Sequence, residues 1–200
     1  MMSTTEYEPE NFFVLQVDVS NHTEWLRKDK TDRTKWLKKH YARKELGKQI
    51  IRILKQYEFN RCLWNGDGGI FFCKESGKQN YDFVVNAGDE LFKLFEMWQG
   101  DHKDLDTQSL GLRVSADLEL IIAEDEPSFW TSYNLNRFVK DEKTITIRGF
   151  AISQTIKNKL IQFKDRFTDQ QLIDRFNNVY FFIDSEHRYN EKVKSKCNLG

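Results

Sequence analysis

The sequence predicts an α+β fold: a ferredoxin-like split βαβ arrangement, with an antiparallel sheet flanked by helices. Three observations point there. Strand-like and helix-like segments follow one another in the order β–α–β–β–α–β between Asn11 and Ala123. The two helical stretches repeat their apolar residues on the helical period. Between them, "WNGDGGIFF" (residues 64–72) sets Asp67-Gly68 between apolar runs, and Asp-Gly is the signal of a tight two-residue turn between paired strands.

The elements can be justified in order. "NFFVLQVDVS" reads as a buried strand from Phe12 to Asp18. A helical stretch follows from Glu24 to Tyr57, with Trp36, Leu37, Tyr41, Leu46, Ile50, Ile51 and Leu54 roughly in phase. Asp29–Thr34 ("DKTDRT") is too polar for a helix interior facing a core and is a place for this stretch to break. The hairpin occupies 60–74. Phe83, Val84, Ala87, Leu91, Leu94, Phe95 and Trp98 mark a second helix over 81–98. "SLGLRVSADLELIIA" reads as one long strand or a hairpin, "SYNLNRFVKDEK" as a helix, and "ITIRGFAIS" as a strand broken at Gly149. A helix or two then lead to a last strand, "NVYFFID". The expected organisation is a flexible N-terminus over 1–11, one domain over 12–184 and a polar C-terminal tail over 185–200.

Composition sets limits. The chain has 200 residues, 39% of them hydrophobic, enough for one domain with a sizeable core. Lys plus Arg and Asp plus Glu both number 31, so the overall charge gives no argument for a nucleic-acid partner. No apolar run is long enough to span a bilayer, and the acidic start "MMSTTEYEPENFF" is unlike a signal peptide. Cys62, Cys73 and Cys197 form no CxxC pair and are odd in number. A reducing, cytoplasmic setting is expected, without a disulfide frame or a zinc site. His22, His40, His102 and His187 lack metal-ligand spacing. The run "RKDKTDRTKWLKKHYARK" (27–44) has the look of a nucleic-acid groove binder, but in a chain of balanced charge it reads better as a solvated helix face.

The chemistry concentrates at Asp18 and Asp67. In the split βαβ order the central hairpin lies beside the first strand, so Asp18 at that strand's end approaches Asp67 at the hairpin turn. Each has a structural alternative: Asp18 as a helix-capping residue, Asp67 as a turn former. Together they would supply hard oxygen ligands for divalent cations bound with a nucleoside triphosphate. The turn "VSNHT" after Asp18 leads into a helix, whose first N–H groups can face phosphate oxygens.

Four segments resemble one family. "FVLQVDVSNHTEWLR" resembles the opening metal motif of the class III nucleotidyl cyclases, aspartate–aliphatic–x–x–aromatic–threonine. "LWNGDGGIFF" resembles their Gly-Asp hairpin. "GLRVSADLELI" is similar to their arginine–valine strand without its usual glycines and histidine, and "YNLNRFVKDEKTITIRGFAISQTIKNKL" to their asparagine helix and the strand and helix after it. The resemblance runs in order from about residue 12 to 160. It implies Asp18 and Asp67 as ligands of two divalent cations (Mn²⁺ or Mg²⁺), with the Val19 carbonyl as a further ligand. It implies His22 and Thr23 where backbone amides hold phosphates, Arg113 on the polyphosphate, and Asn136 orienting the ribose. Lys140 stands where the family has a transition-state arginine; it keeps the charge and loses the planar fork. Arg137, close by in sequence, is a second cation for that task.

The base-reading positions depart from the purine cyclases. Leu63 and Phe129 occupy positions where those enzymes carry polar groups, so purine-specific contacts are lost. Trp130 and Tyr41 are further bulky candidates, with Tyr41 expected to narrow the pocket from the long helix. The pattern is similar to the Pycsar pyrimidine cyclases of antiphage defence. It implies UTP, less readily CTP, as substrate, a homodimer with shared active sites, and an effector that senses the cyclic nucleotide. The alternatives are a catalytically weak or inactive cyclase-like binding domain and a purine cyclase.

Overall fold

The computed structural model describes residues 8–77, 80–123, 149–173 and 179–183. β1 (Pro9–Ser20) is the hub of the sheet. Its residues Phe13, Leu15, Val17 and Val19 point to one face, where they join the core. α1 (His22–Arg27) and α2 (Arg33–Gln56) follow, then the hairpin of β2 (Arg61–Asn65) and β3 (Gly68–Lys74). α3 (Asp82–Asp101) leads through two short 3-10 turns to β4 (Gly111–Ile122). β5 (Gly149–Ser153), α4 (Gln154–Lys159), β6 (Phe167–Ile173) and β7 (Val179–Ile183) complete the described chain.

The sheet order is β2-β3-β1-β4-β5-β7-β6. Its first four strands are the expected split βαβ sheet: β1 is antiparallel to β3 on one side and to β4 on the other. β5 joins β4 in parallel, and the β6–β7 hairpin extends the sheet beyond β5. α2 and α3 pack together on the face that carries Phe13, Leu15 and Val17, through Ala42, Leu46, Ile50 and Leu54 of α2 and Val84, Leu91 and Phe95 of α3. Fully burying each such aliphatic or aromatic side chain contributes about 1.5–3 kcal/mol.

Several boundaries differ from expectation. β1 begins at Pro9, because Pro9–Asn11 already pair with Leu120–Ile122 of β4. The 24–57 stretch does break, between Arg27 and Arg33, and Asp32 caps α2 by accepting from the Lys35 N–H at 3.0 Å. "SLGLRVSADLELIIA" contains one strand, not a hairpin. β6 lies where a helix was expected; "FTDQQLI" has too few apolar residues to show strand alternation, as is common at a sheet edge. The helix expected over "SYNLNRFVKDEK" and the tail from Ser185 lie outside the described residues.

The basic run 27–44 is not wholly a solvated face. Lys39 is fully buried. Its Nζ donates to the Trp25 carbonyl at 2.8 Å, pairs with Asp29 and lies over the Trp25 ring. Trp25 in turn donates Nε1–H to the Leu105 carbonyl at 2.6 Å. A buried cation with an acid, a carbonyl and a ring around it meets the requirement that buried charge be paired. These contacts tie short α1 to α2 and to the turn before β4.

The hairpin turn is displaced by one residue from the Asp-Gly reading. Asn65 pairs with Gly68, so the two loop residues are Gly66 and Asp67. Gly66 has φ +71°, and Asp67 is not among the positive-φ residues. Positive φ at the first loop position alone is the II′ pattern, which places Gly there. Gly68 is then needed for a different reason: a Cβ on it would sit 2.5 Å from the Val17 carbonyl oxygen and 3.2 Å from Asp18 Cα. Because the obstacle is backbone, β3 and β1 would have to part. Gly68→Ala is therefore expected to lower stability by about 1–3 kcal/mol, in the range of other overpacking substitutions. Urea denaturation would measure it; an unchanged midpoint would show that the two strands do not approach this closely.

Candidate active site

The approach of β3 to β1 determines what lies at the end of the sheet. Asp18 is opposite Gly68 on β3 and opposite Arg113 on β4. The Val19 N–H donates to the Asp67 carbonyl at 3.1 Å, fastening the hairpin turn to the end of β1. Asp18 and Asp67, from chain positions far apart, thereby line one cavity of about 550 Å³. Val19, His22, Thr23, Leu63 and Arg113 line it too.

Each acid already has a basic neighbour. Asp18 Oδ2 accepts from Arg113 Nε at 2.8 Å and also from Arg113 Nη2. Asp67 Oδ2 lies 3.2 Å from His22 Nδ1. Burial lifts the Asp18 carboxyl above its ordinary value, against the pull of Arg113, and the charge of Asp67 adds to the lift. The His22 contact, opposed by burial, holds the Asp67 carboxyl below the usual value. His22 is itself buried on α1, and its Nε2 has no hydrogen-bond partner among the described residues.

The donor set fits a Mg²⁺- or Mn²⁺-type ion held in part by its substrate. Among the described residues no group of three or more His, Cys, Asp and Glu side chains is arranged as a metal cage. Such ions prefer hard oxygen ligands and are commonly held by one or two protein carboxylates plus the phosphates of the substrate. Two carboxylates facing a cavity of this size meet that description.

The structure sorts the remaining sequence-predicted residues. Leu63, half-buried on β2, does line the cavity. Tyr41 does not. It is 65% exposed on α2, where Lys39, Ala42 and Leu46 take the inward positions of the helix and leave Tyr41 turned outward. Phe129, Trp130, Asn136, Arg137 and Lys140 lie outside the described residues. Sequence reading missed two things here. Gln16 and Ser20, on the same face of β1 as Asp18, also line the cavity; the two-residue strand period was signal enough to find them. The contact of Arg113 with Asp18 follows from the β1–β4 register, which no local pattern in the sequence encodes.

No protein-family model and no curated protein sequence matches the chain. Solved structures do. An adenylate cyclase structure from Trypanosoma brucei, in its monomeric state, aligns with TM-score 0.64 at 11% identity, covering 90% of this chain and 93% of that one. The guanylate cyclase domain from Catenaria anguillulae, in complex with GTP, aligns with TM-score 0.58 at 17% identity over 90% and 98% of the two chains. A dimeric guanylyl cyclase domain from the fungus Blastocladiella emersonii aligns with TM-score 0.62 at 16% identity over 88% and 97%. At these identities the likeness establishes architecture, and the chain has the α+β fold of the class III adenylyl and guanylyl cyclase domains.

Proposed function

We propose that the protein is a nucleoside triphosphate cyclase that uses two divalent cations, and that it selects a pyrimidine base. The observation that carries the reading is the convergence of Asp18 and Asp67, from β1 and the β2–β3 turn, on one cavity in a cyclase-type fold. Asp18 and Asp67 would hold the cations, with the Val19 carbonyl as a further ligand. Bound cations of this kind activate the attacking oxygen and neutralise charge on the leaving group. The ribose 3′-hydroxyl would lose its proton to water as its oxygen attacks the α-phosphorus in line; the bond to the pyrophosphate oxygen would break, and a 3′,5′-cyclic monophosphate and pyrophosphate would result. The fork of Arg113 suits a polyphosphate oxygen, and His22 and Thr23 border the same space. Asn136 would orient the ribose, and Lys140 would stabilise charge at the α-phosphate from the second protomer of a homodimer with shared active sites.

Base choice rests on Leu63 and Phe129. Leu63 lines the cavity and offers no hydrogen bond to a base edge. A buried donor or acceptor left unpaired costs about 1–3 kcal/mol, so purines that depend on polar readers at these positions are disfavoured. UTP is the expected substrate, with CTP second. The cyclic nucleotide would serve as a cytoplasmic messenger in antiphage defence, sensed by a separate effector. Against this stands one observation for a non-catalytic nucleotide-binding domain: both acids are already paired with basic side chains.

Incubating the full chain with equal ATP, GTP, CTP and UTP and Mn²⁺, and separating products by chromatography, tests substrate and activity together. Cyclic UMP is expected as the main product. Cyclic AMP or cyclic GMP would overturn the base assignment and leave the cyclase reading; no product would favour the binding domain. Asp18→Ala and Asp67→Ala should each lower turnover by at least about a hundredfold, the scale on which removing a transition-state charge stabiliser acts, with the circular dichroism spectrum kept. Near-wild-type turnover in either variant would exclude the two-cation site.

Sharing of the site between protomers has its own test. Asp67→Ala and Asn136→Ala chains, each inactive alone, are expected to regain activity when mixed, since one of the two sites in the mixed dimer is intact. Absence of activity despite proven subunit exchange would place each site within one chain.

A further inference from the structure

We propose that Arg113, as a counter-cation of Asp18, and His22, as a hydrogen-bond neighbour of Asp67, occupy the two acids of the unloaded site, so that a divalent cation is admitted together with a polyphosphate and is resisted when it comes alone. The inference rests on the reading of Asp18 and Asp67 as metal ligands and concerns how that site fills.

Four groups in one cavity carry it. Arg113 donates through Nε, at 2.8 Å, and through Nη2 to the same oxygen of Asp18, Oδ2. His22 Nδ1 lies 3.2 Å from Oδ2 of Asp67. All four side chains line the cavity, and those of Asp18 and Arg113 are only 14% and 18% exposed. Water screens the Asp18–Arg113 pair less than it would a surface pair. A bridge between strands whose register is fixed on both sides of β1 is also geometrically determined, not a chance meeting of surface side chains.

A cation that binds to Asp18, through either oxygen, meets the guanidinium that Arg113 holds against the same carboxylate. If it arrives alone, the guanidinium remains within reach of a dipositive ion in a poorly screened cavity, and the two repel. A polyphosphate removes that obstacle. Its oxygens accept the guanidinium in the same forked manner as a carboxylate, offer an acceptor to His22, and complete the coordination of the ion. Arg113 and His22 thus pass from protein acids to substrate phosphates as the ion settles between the acids. Linkage makes the effect reciprocal: polyphosphate raises cation affinity by the factor by which the cation raises polyphosphate affinity. Before loading, the Arg113 charge offsets part of the repulsion between the two acids.

The test is Mn²⁺ binding to the full chain, followed by electron paramagnetic resonance of the free ion and by calorimetry, with no turnover required. Wild type is compared with Arg113→Met, which keeps an apolar stem without the charge, and with His22→Phe, which keeps a ring without the nitrogens. Inorganic triphosphate is the polyphosphate probe, corrected for the Mn²⁺–triphosphate complex; it carries no base, so the result does not depend on pyrimidine selection. For wild type, triphosphate should tighten Mn²⁺ binding at least fivefold, within the roughly 5–150-fold range typical of coupled sites. Arg113→Met and His22→Phe should bind Mn²⁺ alone more tightly than wild type and gain less from triphosphate. Asp18→Asn on the Arg113→Met background should cancel that variant's gain. If wild type binds Mn²⁺ alone as tightly as both variants, the counter-cation role is overturned and the metal site stands. If no protein binds Mn²⁺ with or without triphosphate, the metal site and the inference fall together.

Discussion

The site depends on register at the end of β1. The Val19 N–H to Asp67 carbonyl bond, and the pairing of Asp18 with Gly68 just beside it, place a turn carboxylate and a strand-end carboxylate in one cavity. A shift of one residue would turn Asp18 toward the helix layer and expose Val17 or Val19 on the other face, because side chains alternate along a strand. The buried Phe13, Leu15, Val17 and Val19 make that shift costly. The apolar core therefore does more than stabilise the fold: it fixes which face of β1 carries Asp18. Gly68 is the local condition for the same geometry, since any side chain there would meet the Val17 backbone.

The other elements hold this arrangement from outside. α1 is only six residues long and would not be stable alone. It is held by Trp25, buried and bonded to the Leu105 carbonyl, and by the buried Lys39 that reaches it from α2. Those anchors fix the helix that carries His22 and Thr23 beside the acids. On the other side of β1, the β4 pairing brings Arg113 across from Asp18. Packing, a buried ion pair and strand pairing thus converge on four polar groups in one space. Each acid has a basic side chain beside it, which eases the sharing of a partly buried site by two carboxylates.

Much of this was legible in the sequence where a local period met a strong punctuation signal. The apolar run through Phe12, Phe13, Val14, Leu15 and Val17, the helical period through Leu46, Ile50 and Leu54, and the glycines around Asp67 pointed to the first part of the sheet and the meeting of Asp18 with Asp67. What was not legible came from long-range geometry. The turn centre fell on Gly66–Asp67 because strand pairing, not dipeptide preference, chose the loop residues. Lys39 looked like a surface charge, since its partners Asp29 and the Trp25 carbonyl are made available only by the break between α1 and α2. Tyr41 faced outward because the helix phase was set by Ala42 and Leu46, and a single residue's offset is enough to leave the cavity. β6 was missed for lack of apolar alternation, and the Asp18–Arg113 bridge because nothing local announces a partner 95 residues away.

The central claim is that Asp18 and Asp67 jointly hold a divalent cation at a polyphosphate. Anomalous scattering from crystals grown with Mn²⁺ and an unreactive 3′-deoxy nucleoside triphosphate tests it most directly. The account predicts an anomalous peak between the two carboxylates, with Arg113 turned from Asp18 to a phosphate oxygen. A peak that touches neither acid, or bound nucleotide with Arg113 still on Asp18 and no ion beside it, would contradict it.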